Sequence, residues 1–208
     1  YFVMELEKAG VQVYDYAPGK GRQPRQTKRA AIRLCDAILP SLSFNHPEFQ
    51  RVLDWMRCQT ITETKGALKE PYTKVIKGVE KVCHRDVTAT VNGFKFVFGT
   101  GGIHGSIEKE IVRSNDEYVI IDLDVASYYP NLAIKNGFAP EHLGAPFVHI
   151  YSALFEQRKK YPKKSAESQM LKLALNGVYG DSNNQFSVFY DPLFTMKITL
   201  NGQLLLCK

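Results

Sequence analysis

The chain has 208 residues, of which 44% are hydrophobic and 23% are charged, and its formal net charge is +6. This length and apolar content suffice for one domain or two small ones with a buried core, and they exclude a disordered chain. The positive charge favours an anionic partner such as nucleic acid, although a basic enzyme has the same kind of composition.

The first 72 residues are expected to alternate helix and loop, which predicts a mostly helical N-terminal segment. The stretch TKRAAIRLCDAIL, residues 27–39, has a dense apolar face and begins at Thr27, which can cap a helix N-terminus. Asn45 and Pro47 predict the start of a second helix that continues through Trp55. The basic stretch before them, residues 18–29, is either a phosphate-binding loop or a solvated linker.

The clearest β-hairpin lies at residues 87–98, where two β-rich runs flank Asn92 and Gly93. These two residues suit the positive φ angles of a type I′ turn. The glycine-rich stretch GTGGIHGS, residues 99–106, follows the hairpin. It fits neither a dinucleotide-binding loop, because His104 stands where the third glycine belongs, nor a P-loop, because the lysine is missing. The remaining interpretation of this stretch is a tight turn that another backbone approaches closely.

A strand is predicted over residues 118–126, and it carries two acidic residues within an apolar run. Because side chains alternate across a strand, Asp122 and Asp124 project to the same face. Two such charges need a cation, a basic side chain or solvent to offset their repulsion. Hard divalent ions prefer carboxylate oxygens, but a solvent-exposed strand face explains the same pattern. Pro130 predicts that the chain turns just beyond this strand.

Two antiparallel helices are predicted next. The first begins near Pro146, and its apolar stripe ends at Arg158, whereas Ser165 caps the second. The stripe of the second helix comprises Met170, Leu171, Ala174, Leu175 and Val178. On its opposite side Lys172, Asn176 and Tyr179 share one line at spacings i, i+4 and i+7. A short strand over residues 184–191 and a last helix, which begins at Asp191 and Pro192, complete the prediction.

Two segments resemble the conserved motifs of family B DNA polymerases of the phage or viral type. DVASYYPNL, residues 124–132, resembles motif A, and KLALNGVYG, residues 172–180, resembles motif B. The resemblance implies an α+β fold: a partial polymerase palm of antiparallel sheet and helices, with a short helical-hairpin fingers subdomain. The implied division is an N-terminal region (1–86), a first part of the palm (87–139), fingers (140–180) and a continuing palm (181–208).

The resemblance also implies a role for individual residues. Asp124 would be the catalytic carboxylate that binds two Mg²⁺ ions, with the backbone carbonyl of Val125 as a further ligand. Tyr129 would lie beneath the sugar of the incoming deoxynucleoside triphosphate and exclude a 2′-hydroxyl. The other implied nucleotide-binding residues are Ser127, Tyr128, Arg158, Lys172, Asn176 and Tyr179. The implied template-binding residues are Gly101, Gly102 and Gly180, and the partner is primer–template DNA.

The chain departs from the family pattern in several places. Gly99 stands for the tyrosine of the family's Tyr-x-Gly-Gly turn, and Tyr128, Asn131 and Gly177 replace a leucine and two serines of motifs A and B. Only 47 residues, positions 125–171, separate Asp124 from Lys172, which leaves no room for the insertion of protein-primed members. Motif C, which supplies the second metal-binding carboxylate, has no match, so we expect a fragment of a longer polymerase that is inactive alone.

Other interpretations remain open. A non-enzymatic nucleic-acid-binding module derived from a polymerase would keep the basic helices but lose the chemistry. A polymerase that uses ribonucleotides is disfavoured by Tyr129. The four cysteines, Cys35, Cys58, Cys83 and Cys207, are widely spaced and predict reduced thiols rather than a zinc site or disulfides. Together with the absence of a signal peptide and of any apolar run of about 18 residues, they predict a cytoplasmic protein without a membrane partner. For a viral source, this is the host cytoplasm.

Overall fold

A computed structural model describes residues 1–107 and 109–208, and it confirms the predicted α+β class. The helices are α1 (Phe2–Lys8), α2 (Leu34–Ala37), α3 (Pro47–Arg57), α4 (Tyr128–Asn136), α5 (Gly144–Lys159), α6 (Ala166–Asp181) and α7 (Pro192–Leu206). The strands are β1 (Tyr14–Ala17), β2 (Gly21–Pro24), β3 (Ile32–Arg33), β4 (Thr60–Ile61), β5 (Lys69–Ile76), β6 (Val79–Val91), β7 (Phe94–Phe98) and β8 (Ile103–Ser106). Every pairing between these strands is antiparallel.

Helix α7 lies at the centre of the molecule. Its sequence is apolar on all sides, as expected of a helix that is buried around its whole circumference. Met196 and Leu200 pack in one hydrophobic cluster with α3 and the sheet, whereas Phe194 and Ile198 pack in a second cluster with α4, α5 and α6. The predicted start of the helix is confirmed, because the Asp191 carboxylate accepts a hydrogen bond from the Leu193 N–H at 3.0 Å.

Strand β6 belongs to two hairpins in succession. Its second half, Val87 to Val91, pairs with β7, and its first half, Val79 to Asp86, pairs with β5. The predicted turn between β6 and β7 is confirmed, since Asn92 and Gly93 have φ angles of 51° and 83°. Strand β6 also runs through the boundary predicted between residues 86 and 87.

The predicted pair of antiparallel helices is confirmed in α5 and α6. The hydroxyl of the buried Tyr151 donates to the Leu175 carbonyl at 2.6 Å and joins the middle of one helix to the other. Ser165 caps α6 as predicted, because its hydroxyl accepts from the Ser168 N–H at 3.2 Å. The buried stripe of α6 differs from the prediction, because Ser168 is buried whereas Met170 and Ala174 are exposed.

The predicted mostly helical N-terminal segment is wrong. Residues 27–39 form the short strand β3 and the single turn α2 rather than one helix. The Thr27 hydroxyl hydrogen-bonds to Nδ1 of His142 at 2.9 Å instead of capping a helix, and the backbone of Ile32 and Arg33 pairs with β4. The second helix is present as α3, with His46 as its N-cap, because its Nδ1 accepts from the Glu48 N–H at 3.2 Å.

Two predicted strands are also wrong. Residues 118–125, all of them described, form neither helix nor strand, and Ala126 lies in a turn. Their apolar content suits a strand, but none of the described strands lies beside them to accept backbone hydrogen bonds. Residues 184–191 form turns, because Asn184 and Ser187 side chains accept from the N–H groups of Phe186 and Phe189 at 3.1 and 3.0 Å. Such local bonds compete with strand pairing.

Candidate functional site

Sequence segments that lie far apart meet in one groove over the side of α7. Its first part is a cleft of about 550 Å³, the tyrosine cleft, which is lined by Tyr128, Tyr129 and the glycine turn 99–102. Thr199, Gly202 and Gln203 of α7 form its floor, and Lys69 and Asp86 lie at its edge. The segment that resembles motif A is therefore brought to the glycine turn, a contact that the sequence does not predict.

The groove continues into a smaller cavity of about 280 Å³, the junction cavity. Thr100, Gly101 and Thr199 line both spaces, so the two are contiguous. Tyr179 and Gly180 at the end of α6 form another wall, opposite the loop Thr64–Gly66. Two of the three predicted template-binding glycines, Gly101 and Gly180, thus line the same cavity, and Gly102 lines the adjacent cleft.

The glycine turn is held in place from α7. The buried side-chain amide of Gln203 accepts from the Gly99 N–H at 3.2 Å and donates to the Gly99 carbonyl at 2.7 Å. The Gly99 N–H also donates to the Gly102 carbonyl at 3.1 Å, which closes the turn. A side-chain amide that satisfies both backbone groups of one residue fixes that residue's position much as a strand partner would.

Three tyrosines form a continuous aromatic wall between α4 and α6. The ring centroids of Tyr128 and Tyr129 lie 6.0 Å apart, and those of Tyr129 and Tyr179 lie 4.5 Å apart. The Tyr128 hydroxyl donates to the Gly202 carbonyl of α7 at 2.6 Å. Burial, with the neighbouring Tyr129 as a smaller cause, raises the pKa of Tyr179 to about 12, so its hydroxyl is a hydrogen-bond donor at neutral pH.

Gly202 allows this wall to approach α7. A Cβ atom at Gly202 would lie 3.3 Å from Leu132 Cδ1 and 3.4 Å from Tyr128 Cε1. A side chain at this position would therefore need the Leu132 and Tyr128 side chains to shift by a few tenths of an ångström. Neither Gly202 nor Gln203 was predicted from the sequence as a site residue. The Asn-Gly-Gln interruption of an apolar helical run, residues 201–203, is the signal that marks them.

Arg158 reaches the start of α4 from the last turn of α5. Its Nη1 donates to the Ser127 hydroxyl at 2.9 Å, so two predicted nucleotide-binding residues are in contact. Ser127 has a φ of 49°, a left-handed conformation that is uncommon outside glycine. The Asn131 side chain supports it by donating to the carbonyls of Ala126 and Ser127 at 3.1 and 3.2 Å. The guanidinium therefore lies directly beside the tyrosine wall.

Lys172 and Asn176 lie on α6 on the same line as Tyr179, and both are exposed. Neither side chain hydrogen-bonds to another of the described residues. This surface of α6 offers a cation and an amide in front of the half-buried phenol. These three residues share one line along α6, as their spacing predicts, but of the three Tyr179 alone lines the groove.

Within the described chain, the acidic segment before α4 lines neither the tyrosine cleft nor the junction cavity. Asp122, Asp124 and Val125 are exposed in the irregular stretch before α4. Their carboxylate and carbonyl oxygens are hard donors that suit Mg²⁺. Among the residues that the structure describes, no three His, Cys, Asp or Glu side chains are grouped as a metal site. The donor chemistry fits part of a magnesium site, and further carboxylate ligands are needed to complete it.

Comparison with known proteins gives no match for this chain: no family model matches it, and neither does any curated protein or solved structure. Within the described part of the chain, no helix is long and apolar enough to cross a membrane. The polymerase resemblance therefore depends on the two sequence motifs.

Proposed function

We propose that this chain is part of a DNA-directed DNA polymerase that adds deoxynucleotides to a primer on a DNA template. One observation carries the proposal. The rings of Tyr129 of the first motif and Tyr179 of the second are tilted by 38° with centroids 4.5 Å apart, and both residues share one groove with the glycine turn. The motifs are about fifty residues apart in the sequence, and nothing in their local patterns requires them to meet.

The expected nucleotide-binding residues suit the parts of a deoxynucleoside triphosphate, and of those on α6 Tyr179 lines the groove. Lys172 and Arg158 would bind the triphosphate, whose charge they offset, while Asn176 and Tyr179 would line the nucleotide pocket. The Tyr129 ring would lie against the sugar and exclude a 2′-hydroxyl. Gly101, Gly102 and Gly180 leave the backbone open for the template strand to approach.

The reaction is a displacement at the α-phosphorus of the nucleotide. The primer 3′-oxygen forms the new phosphorus–oxygen bond, its proton is released, and pyrophosphate leaves with the electron pair of the broken bond. Asp124 and the Val125 carbonyl would hold Mg²⁺, which when bound activates the attacking oxygen and offsets the charge of the leaving group. A second carboxylate would come from chain beyond the residues described.

Primer extension with matched acidic variants tests the proposal. In a protein that contains this sequence and the missing carboxylate, Asp124→Asn is expected to lower extension by about 10³-fold or more, since metal ligation contributes several kcal/mol. Asp122→Asn makes the same charge change two residues away and is expected to keep most of the activity. Both variants should bind primer–template DNA like the parent.

The opposite result would refute the assignment. Full extension by the Asp124→Asn protein removes its ligand role, and equal losses in both variants indicate a general charge effect. We expect the 208-residue chain alone not to extend a primer, because the described residues supply an incomplete ligand set.

The same incomplete set favours a second candidate, a nucleic-acid-binding module without catalysis. The two candidates differ in the longer protein, where the binding module would bind primer–template DNA but extend no primer with any divalent metal.

A further inference from the structure

A two-stranded arm projects from the sheet on the far side of Lys69 and Asp86. This β-ribbon consists of β5 and the first half of β6, which pair over eight positions from Lys69–Asp86 to Ile76–Val79. At about 3.4 Å per residue, it is roughly 27 Å long. Among the described residues neither strand pairs with a third strand over these positions, and the side chains from residue 71 to residue 82 are exposed.

The base of the β-ribbon is anchored to the body by ion pairs. The buried carboxylate of Glu70 accepts from Arg51 of α3 at 2.7 Å and lies 3.4 Å from Arg85. Arg51 also donates to the Thr88 carbonyl, and Lys69 pairs with Asp86 across the strands. An isolated hairpin is only marginally stable in water, so these contacts are what hold the arm in a defined direction.

The charges of the β-ribbon are segregated by face. The pairing register places Lys74 opposite Lys81, and alternation along the strands puts Arg85 on the same face. The acid Glu80 projects from the other face, while Glu70, on the basic face, is already bonded at the base. Lys77 adds a further positive charge at the turn. The basic face therefore has no free acid along its exposed length.

The opposed lysines are unfavourable for the arm by itself. Residues directly across an antiparallel pair have Cβ atoms about 5 Å apart, and like charges at such positions destabilise the pair. Within the described ranges, neither Lys74 nor Lys81 forms an ion pair with a carboxylate. A ligand that brings negative charges to this face would remove the repulsion. A two-stranded ribbon has the width that fits a groove of duplex nucleic acid, whose phosphates form regular rows on both sides.

We propose that the basic face of the β-ribbon binds the phosphate backbone of duplex nucleic acid outside the groove over α7. The contact requires nucleic-acid binding but no nucleotidyl transfer, so it goes beyond the proposed function and does not depend on it. It is independent of sequence, because lysines bind phosphates as point charges and read no base edges.

Binding of a short labelled DNA duplex to the full 208-residue chain tests this proposal. Lys74→Gln with Lys81→Gln is expected to weaken binding about 5- to 20-fold at low salt and to lower the slope of log affinity against log salt by about 1 to 2. Lys135→Gln with Lys208→Gln removes the same charge from other exposed sites and should leave both quantities unchanged. Lys74→Arg with Lys81→Arg keeps both positive charges and should therefore retain binding.

The outcomes separate the alternatives. Equal losses in the two glutamine pairs would mean that only net charge matters, and no loss would mean that the lysines merely keep the strand edges from pairing with other chains. Displacement of the duplex by poly-glutamate at matched charge would assign the face to an acidic protein. Each of these results overturns the proposal. In the longer protein that extends a primer, an Asp124→Asn variant that loses extension but keeps ribbon-dependent binding would separate this contact from the proposed reaction.

Discussion

The ring of Tyr129 lies between those of Tyr128 and Tyr179, and under the proposed function it would contact the sugar of the incoming nucleotide. In a polymerising protein that contains this sequence, Tyr129→Ala is expected to raise ribonucleotide incorporation about 10- to 100-fold, because the change opens space for a 2′-hydroxyl. Tyr129→Phe keeps the ring and should keep the selection. Single-nucleotide incorporation with matched ribo- and deoxynucleotides measures this, and unchanged discrimination in Tyr129→Ala would remove the sugar contact.

Gln203 links the glycine turn to α7 by two hydrogen bonds, both to Gly99. Gln203→Ala is expected to lower the free energy of unfolding by about 2 kcal/mol, because the Gly99 carbonyl is left without its partner while the Gly99 N–H keeps only the Gly102 carbonyl. Gln169→Ala is a suitable control. It removes one exposed bond, from Gln169 Nε2 to the Lys163 carbonyl, and should cost less than about 0.5 kcal/mol. Urea unfolding measures the free energy of unfolding of both variants. Equal losses would show that the two bonds to Gly99 stabilise the fold no more than one exposed hydrogen bond does.

At the scale of the elements, the start of α7 depends on one carboxylate. Asp191 is almost fully buried, and besides capping α7 it bonds to Arg29 Nε at 2.9 Å and to the Glu141 N–H at 2.9 Å. Asp191→Ala is expected to cost about 3 kcal/mol of stability, since it removes the cap and leaves Arg29 without its buried partner. Asp191→Asn keeps an acceptor for the cap and should cost less. Thermal unfolding that ranks the two variants in the reverse order would contradict this account.

The elements that were predicted correctly are those whose signals are local. The Asn92–Gly93 turn, the Ser165 cap and the start of α7 each depend on residues within a few positions of one another. Residues 27–39 were mispredicted because their apolar face packs in the body of the protein whether the backbone is helical or extended, and the pairing of β3 with β4 decided the matter.

The candidate site was predictable in part for the same reason. The two motifs identify Tyr129 and Tyr179 by residue type and order, but the contact that makes them one site is long-range. The bonds from Gln203 to Gly99 span 104 positions, and no local sequence pattern near either residue predicts these bonds. The position of Asp124 could not be predicted from alternation, because a strand is defined by its neighbour and the described residues supply none beside it.

At the scale of the whole molecule, α7 joins two hydrophobic clusters and also forms the floor of the groove. The groove is thus supported by the most buried helix, whereas the acidic segment that leads into it is the least supported part of the same region. Six large apolar side chains between residues 118 and 125 are 48% to 87% exposed. A rigid aromatic wall therefore stands next to an extended acidic segment.

This contrast predicts a sharp difference in hydrogen exchange. The N–H groups of residues 119–125 donate to no acceptor in the described chain, so their amides are expected to exchange at the rate of an unstructured peptide. Amides in the middle of α7 are bonded and buried and should exchange slowest, through global unfolding. Exchange followed by mass spectrometry of the 208-residue chain compares the two segments. Protection of residues 119–125 that rises with protein concentration would instead mean that this apolar run pairs between copies, and protection independent of concentration would mean that it folds against the chain's own sheet.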